Sequence, residues 1–199
     1  LVAIFAAGNR AMVKFSEYSP RLTRLLMDKL PAYFGPEKLQ VFAETGGVGQ
    51  RFSSLPFDHL LFTGSSQTGR AVMAAAAANL CPVTLELGGK SPAIICDGFP
   101  LRTAAERILY VKCLNAGQVC TTVDHVFVPQ HEVPEFVDLA QEIVPQRYAS
   151  LDSLDYTSII SLKAFDRLVD AMDEARARGA QLIPLIPGKA SDRKSRRIA

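Results

Sequence analysis

The sequence predicts an α/β fold in which parallel strands are connected through helices. Short apolar runs of four to six residues alternate with longer segments whose apolar residues recur at helical spacing. Glycines or serines stand where one kind of segment gives way to the other. Apolar strands separated by helices are typical of βαβ units, in which helices cover a parallel sheet. The 199 residues, 48% of them apolar, suffice for one large domain or two small ones.

The first half of the chain alternates strands and helices. Ser19 and Pro20 are suited to the start of a helix, which Pro31 ends. A second helix begins at Ser65 or Ser66 and continues through an alanine-rich run to Ala78. The remaining apolar runs predict four strands, with a turn at Gly46–Gly49: Ala11–Phe15, Leu39–Ala43, Asp58–Thr63 and Thr84–Leu87.

The second half continues the alternation. Its clearest helix covers Ser161–Arg178, with Leu162, Phe165 and other apolar residues on one face and Gly179 just past the end. A hinge is possible near Pro82. The other expected elements are helices at Leu101–Leu114 and Val133–Val144, a loop at Asn115–Gln118, and strands at Ala93–Cys96, Val123–Val128 and Gln181–Ile186.

Composition argues against several classes of partner. The formal net charge of +2 demands neither a nucleic-acid nor an anionic-membrane partner. The apolar start of the chain, Leu1–Ala7, lacks basic residues and is far shorter than the roughly 18 apolar residues of a membrane span. The four cysteines form no CxxC pair, so neither a zinc site nor a disulfide framework is predicted. We therefore expect a cytoplasmic protein without a metal.

One candidate for chemistry is the segment FTGSSQTG at residues 62–69, where a strand passes through Gly64 into a helix. Free backbone N–H groups and the helix dipole favour an anion such as phosphate at that point. A tight turn followed by an ordinary cap explains the same residues. The segment is neither GxGxxG nor a Walker loop, so it does not identify a nucleotide site by itself.

Two further candidates are a cysteine and a carboxylate. Cys120 ends the small-residue loop NAGQVC and is either an inert thiol or a nucleophile. Glu86 lies in an apolar strand before two glycines and is either a satisfied structural acid or a base with a raised pKa. Each residue taken alone leaves both readings open. The other cysteines, Cys81, Cys96 and Cys113, are expected in the core.

His125 offers an alternative chemistry, because it could pair with Cys120 as in a cysteine hydrolase. Five residues of strand separate the two, which places the imidazole about 16 Å from the thiol at some 3.3 Å per residue. This spacing disfavours the pair.

Three motifs taken together resemble the aldehyde dehydrogenase superfamily. FTGSxxxG at 62–69, LELGGKSP at 85–92 and NAGQVC at 115–120 follow the family's order and approximate spacing. The likeness extends from Gly8 to Pro129. Residues 8–17 are similar to the family's Lys-Pro-Ser-Glu strand, with Phe15 in place of the proline. Asp124 and His125 resemble the subgroup that includes fatty, aromatic and coniferyl aldehyde enzymes.

The resemblance implies an incomplete pair of domains. Residues 1–87 would be part of a Rossmann-type NAD-binding domain, and residues 88–199 part of an α/β catalytic domain. The family's oxyanion amide and nicotinamide-ribose carboxylate would lie outside the chain, so the chain alone is expected to be weakly active or inactive. A non-catalytic dinucleotide-binding fragment is the alternative, and the parent protein is expected to be a homo-dimer or homo-tetramer.

The resemblance also implies a reaction, the oxidation of an aldehyde such as coniferyl aldehyde to the carboxylic acid. Cys120 would form the thiohemiacetal and thioester, and Glu86 would activate water. Lys14 and Glu17 would hold the adenosine ribose, and Glu17 would favour NAD over NADP by repelling a 2′-phosphate. The cofactor residues implied are Lys14, Ser16, Glu17, Gly64, Ser65, Leu87 and Gly88.

Overall fold

The computed structural model describes residues 1–199 and shows two compact units, Leu1–Leu87 and Gly88–Ala199. Each unit combines helices with parallel strand pairs, which confirms the predicted α/β class. None of the helices has both the length and the apolar character needed to cross a membrane.

The first unit contains four helices and four strands. Parallel hydrogen bonding joins the first strand to the second and the third to the fourth. In chain order the elements are α1 (Val2–Ala6), β1 (Ala11–Lys14), α2 (Pro20–Lys29), β2 (Leu39–Phe42), α3 (Val48–Ser53), β3 (Leu60–Gly64), α4 (Ser66–Ala77) and β4 (Val83–Leu87).

The helix starts of this unit follow the sequence signals, with one difference in how the cap is made. The Ser65 hydroxyl accepts a hydrogen bond from the Thr68 N–H at 3.2 Å, which caps α4. Ser19 precedes α2 as expected, but its hydroxyl donates to the Ser16 carbonyl at 3.2 Å instead of capping the helix. A small core of Leu60, Val72, Ala76 and Cys81 packs α4 onto the β3–β4 pair.

The predicted turn at Gly46–Gly49 is only partly present. Gly46 and Gly47 have φ angles of 71° and 82°, which glycine adopts without steric cost, and the short helix α3 begins at Val48. The six residues of α3 are too few to show a helical apolar period, so the sequence did not indicate this helix.

The second unit is built around a larger core. In chain order its elements are β5 (Ser91–Ile94), α5 (Leu101–Cys113), β6 (Val123–Phe127), α6 (Val133–Arg147), α7 (Leu162–Ala177), β7 (Ser191–Asp192) and β8 (Arg197–Ile198). The β5–β6 pair is parallel and the β7–β8 pair antiparallel. Helices α5 and α6 supply most of the core, including Leu109, Ile143 and Val144. Ser161 caps α7 by accepting from the Ala164 N–H at 3.1 Å.

Three sequence expectations are wrong in detail. Gln181–Ile186 forms no strand, because Pro184 and Pro187 remove backbone donors within and after the apolar run. Cys81 is buried as expected, but Cys96 is exposed. Successive residues of an extended chain point in opposite directions, and the neighbouring Ile95 takes the buried position. The covered parallel sheet is only partly present: hydrogen bonds join the strands in four separate pairs, and the apolar Ile94 and Phe127 of the β5–β6 pair are 70% and 57% exposed.

Candidate functional site

In the first unit, the candidate residues lie at the carboxyl ends of parallel strands. The register of β3 and β4 places Thr63 beside Glu86 and Gly64 beside Leu87. Glu86 is exposed at this edge. Gly88 follows, and the space that a side chain would occupy there is open. Ligands of open parallel sheets bind at this end of the strands. The fold thus brings Gly64, Ser65, Glu86 and Leu87 to one edge.

The start of α4 has donors available for an anion. Ser65 accepts from the Thr68 N–H, while the N–H groups of Ser66 and Gln67 have no acceptor within the helix. Behind this turn, a Cβ at Gly69 would lie 3.0 Å from the Leu87 side chain, so glycine allows α4 to pack closely on β4. The helix dipole and free donors together suit a phosphate group.

Lys14 ends β1 and forms an ion pair with Glu44. The Lys14 Nζ donates to the Glu44 Oε2 at 2.9 Å, and the two side chains are only 22% and 18% exposed. The Glu44 carboxylate also accepts from the N–H groups of Val48 and Gly49 at 3.0 and 2.9 Å. The Lys14 ammonium and these backbone donors lower the pKa of the Glu44 carboxyl. Glu44 is therefore ionised and fixed in position.

Glu44 was not among the residues expected from the sequence, although a signal was present. Lys14 and Glu44 are 30 residues apart, so no local pattern joins them. However, Lys14 is the last residue of β1, and Glu44 follows the end of β2 by two residues. The two strands are parallel, so their carboxyl ends meet at one edge. A glutamate two residues after β2 and just before a glycine turn was the available indication.

Ser16 and Glu17 lie in the turn between β1 and α2. The Ser16 hydroxyl accepts from the Tyr18 N–H at 3.2 Å, which stabilises the turn. Glu17 is exposed in this turn and forms no ion pair. Of the two residues implied for the ribose, Lys14 and Glu17, only Lys14 is held by an ion pair.

In the second unit, Cys120 is exposed on a loop with unusual backbone conformation. Asn115, Ala116 and Gly117 have φ angles of 53°, 51° and 73°, which places three successive residues in the left-handed region. Only Gly117 adopts this conformation without steric cost. Contacts elsewhere must therefore hold this loop.

Gln118 supplies several of those contacts. Its Nε2 donates to the carbonyls of Asn115 and Ser158 at 3.0 and 3.1 Å, and its Oε1 accepts from the Ile160 N–H at 2.8 Å. The Asn115 amide donates back to the Gln118 carbonyl at 3.2 Å. The Gln118 side chain thereby ties the cysteine loop to the segment before α7. This role was not foreseen, because its partners lie about 40 residues away.

One hydrogen bond and one close approach define the loop on the other side of Cys120. The buried Thr122 hydroxyl donates to the Val111 carbonyl at 3.1 Å, which ties the start of β6 to α5. A Cβ at Gly89 would lie 3.2 Å from the Cys120 carbonyl oxygen, so a larger residue would displace the loop. The loop geometry thus depends on the Gln118 side chain within the loop, on the Thr122 hydroxyl beyond it, and on the space left by Gly89.

His125 contacts other groups than Cys120. Its Nδ1 lies 3.3 Å from the Asp124 Oδ2, and its ring centroid lies 5.3 Å from that of Phe127. The Lys90 ammonium, 2.8 Å from the Asp124 Oδ1, lowers the pKa of the Asp124 carboxyl. These contacts give the cysteine-hydrolase alternative no support. No group of three or more His, Cys, Asp or Glu side chains is arranged to hold a metal ion.

Comparison with known proteins adds a family and its relatives. Residues 1–197 match the aldehyde dehydrogenase family. A Pseudomonas aeruginosa protein named "Probable coniferyl aldehyde dehydrogenase" is 50% identical over 186 residues, which are 93% of this chain and 39% of that protein. Coniferyl aldehyde dehydrogenase of a Pseudomonas species is 45% identical over 202 residues, covering 100% of this chain and 42% of that protein.

Solved structures agree with this match. The substrate-bound state of Staphylococcus aureus AldH is 32% identical with a TM-score of 0.88, covering 100% of this chain and 42% of that one. Mycobacterium tuberculosis aldehyde dehydrogenase complexed with NAD+ is 31% identical with a TM-score of 0.79, covering 89% of this chain and 38% of that one. The chain therefore spans about two fifths of the length of these proteins.

Proposed function

Because the chain belongs to the aldehyde dehydrogenase family, we propose that the protein carrying it oxidises an aldehyde to the carboxylic acid, with Cys120 as nucleophile and a nicotinamide dinucleotide as oxidant. The observation that carries the proposal is the exposed Cys120 on a loop that hydrogen bonds of Gln118 and Thr122 hold in place. A fixed, accessible thiol is what nucleophilic catalysis requires.

Cys120 performs the covalent steps. Its thiolate adds to the carbonyl carbon and forms a thiohemiacetal, whose oxygen carries the charge released from the carbonyl double bond. When bound, the nicotinamide supplies the acceptor for the hydride that leaves this carbon. The hydride leaves with both electrons of the carbon–hydrogen bond, the carbonyl double bond re-forms, and Cys120 holds the resulting acyl group as a thioester.

Glu86 has the role of general base. Its carboxylate takes a proton from the water that attacks the thioester carbon, the carbon–sulfur bond breaks, and the carboxylic acid leaves with the Cys120 thiolate restored. Glu86 is exposed at the end of β4, so water can reach it.

The first unit supplies a donor set that fits a dinucleotide. Lys14 offers an ammonium donor for ribose hydroxyls, and the start of α4 after Gly64 and Ser65 offers backbone donors for the pyrophosphate. Ser16, Glu17, Leu87 and Gly88 complete the proposed set. Accordingly, residues 1–87 would serve as the dinucleotide-binding domain and residues 88–199 as the catalytic domain.

The finer features of the proposal concern the substrate, the oxidant and the assembly. We take an aromatic aldehyde such as coniferyl aldehyde as the substrate, because the relatives at 45–50% identity are named for it. We take NAD as the oxidant rather than NADP, because the Glu17 carboxylate, proposed to lie near the ribose, would repel a 2′-phosphate. A cytoplasmic homo-dimer or homo-tetramer, without nucleic-acid or membrane partners, completes the proposal.

Mass spectrometry of trapped intermediate tests the nucleophile. The protein is mixed briefly with coniferyl aldehyde and NAD, quenched in acid and digested. We expect an acyl adduct on Cys120, and more of it in a Glu86→Gln variant, because the thioester then forms but hydrolyses slowly.

A Cys113→Ser variant is the matched control. Burial raises the pKa of the Cys113 thiol, so its thiolate is scarce and the variant should acylate like the parent. An adduct found only on Cys113, or no adduct with NAD bound, would contradict the proposal. Turnover without NAD that is lost in His125→Ala would favour the hydrolase chemistry instead.

A further inference from the structure

We propose that Glu44 is a specificity-determining residue of the dinucleotide site, which keeps Lys14 paired and thereby favours an adenosine ribose with a free 2′-hydroxyl over one with a 2′-phosphate. The inference rests on the proposed function, since it takes Lys14 as the ribose ligand.

The position of the Glu44 carboxylate is defined by three hydrogen bonds. They come from the Lys14 ammonium at 2.9 Å and from the N–H groups of Val48 and Gly49 at 3.0 and 2.9 Å. Three donors on one carboxylate leave little freedom to turn away. An incoming anion at Lys14 must therefore meet this charge.

The charges explain how Glu44 discriminates. An ammonium paired with a carboxylate still has N–H groups to donate to a hydroxyl. A 2′-phosphate carries nearly two negative charges and competes with Glu44 for Lys14. The two anions repel each other within hydrogen-bonding distance of one cation.

Glu44 is better placed for this role than Glu17. The Glu44 side chain is 18% exposed, whereas Glu17 lies exposed in its turn without an ion pair. Solvent and salt screen an exposed charge more strongly than a shielded one. Glu44 should therefore dominate the discrimination.

Gly49 makes the close pairing possible. A Cβ at Gly49 would lie 3.0 Å from the Glu44 Oε2 and 3.4 Å from the Lys14 Nζ. A Gly49→Ala change would displace the pair without altering any charge. It also places a better helix former in α3, so the change does not threaten that helix.

Calorimetric titration with NAD and with NADP tests the inference without relying on turnover. In Glu44→Gln the ratio of NADP affinity to NAD affinity should rise about tenfold or more, as removal of a nearby like charge implies. Gly49→Ala should raise the ratio by a smaller factor. The matched control is Glu37→Gln. It removes an exposed carboxylate that lies just before the start of β2, at the end of the strand away from Glu44, and should leave the affinity ratio unchanged.

A Lys14→Met variant separates this inference from the proposed function. If NAD affinity is the same in Lys14→Met, Lys14 is not a ribose ligand and the proposed cofactor site is wrong. If Lys14→Met weakens NAD binding while Glu44→Gln and Gly49→Ala both keep the parent ratio, the inference about Glu44 is overturned. Circular dichroism shows that each variant compared is folded.

Discussion

Tyr156 illustrates how burial governs a single residue in this molecule. Its ring packs against the core of the second unit, 5.0 Å from the Tyr148 ring, and its hydroxyl donates to the Ile198 carbonyl at 2.8 Å. Burial disfavours the phenolate and raises the pKa of Tyr156 to about 12, from an ordinary value of 10.0. The neutral phenol thus helps to hold β8 in place through its hydrogen bond to Ile198.

The raised pKa predicts a loss of stability in alkali. Tyr156 ionises near pH 10 in the unfolded chain and near pH 12 in the folded chain. The contribution of the neutral phenol to the free energy of unfolding is therefore complete below pH 10 and is lost as the pH rises to 12. At pH 11 the loss is about 1.4 kcal/mol. Urea unfolding of the parent and of Tyr156→Phe should show it.

The Phe variant supplies the comparison. It should be about 1 kcal/mol less stable at pH 7, because it lacks the hydrogen bond to Ile198, and the difference should vanish near pH 11. A difference that stays constant with pH would show that Tyr156 ionises normally.

Residues whose partners are distant limited what the sequence could predict. Cys120, Glu86 and Lys14 were identifiable from motifs, and their roles remain predictions. Glu44 and Gln118 were not, because the hydrogen bonds that define them join segments 30 to 42 residues apart. Only the strand register and the loop path bring these groups together.

At the scale of elements, two helices with similar caps allow a controlled test. Ser65 caps α4 and Ser161 caps α7, each by accepting a backbone N–H at 3.2 and 3.1 Å respectively. Alanine at either position should lower the free energy of unfolding by about 1 kcal/mol. Only Ser65→Ala should also weaken NAD binding, because α4 is the helix proposed to meet the pyrophosphate.

Thermal unfolding and calorimetry measure both effects on the same samples. Equal loss of NAD affinity in Ser65→Ala and Ser161→Ala would mean that destabilisation, rather than the α4 site, is responsible. Unchanged affinity in both would place the pyrophosphate elsewhere.

Elements were predictable where local signals agree. The cap at Ser161, the apolar face and Gly179 gave α7 to within two residues at each end. The apolar run at 181–186 has the composition of a strand, but Pro184 within it cannot donate to a neighbouring strand, and no strand pairs with it. The β7–β8 hairpin, with two residues in each strand, is too short to leave an apolar pattern.

The molecule as a whole has two cores of different size, and the larger one should dominate stability. Ile143 is 5% exposed in the core of the second unit, whereas Leu154 in the same unit is 99% exposed. Ile143→Ala should lower the free energy of unfolding of this unit by about 2–5 kcal/mol. Leu154→Ala should change it by no more than about 0.5 kcal/mol.

Urea unfolding followed by hydrogen exchange in α5 and α6 measures these values, since both helices belong to that core. Similar costs for the two variants would mean that the side chains of α6 are less tightly packed than the structure shows.

The left-handed run at residues 115–117 also bears on which sequences can carry this loop. Asn115 is exposed and Ala116 and Gly117 are half-buried, so exposure alone would suggest that many residues are tolerated. Backbone conformation implies the opposite. Asparagine and glycine enter the left-handed region readily, alanine does so at a cost, and β-branched residues scarcely at all. A saturation library should therefore find these three positions nearly as intolerant as core positions, with glycine the most acceptable replacement for Ala116.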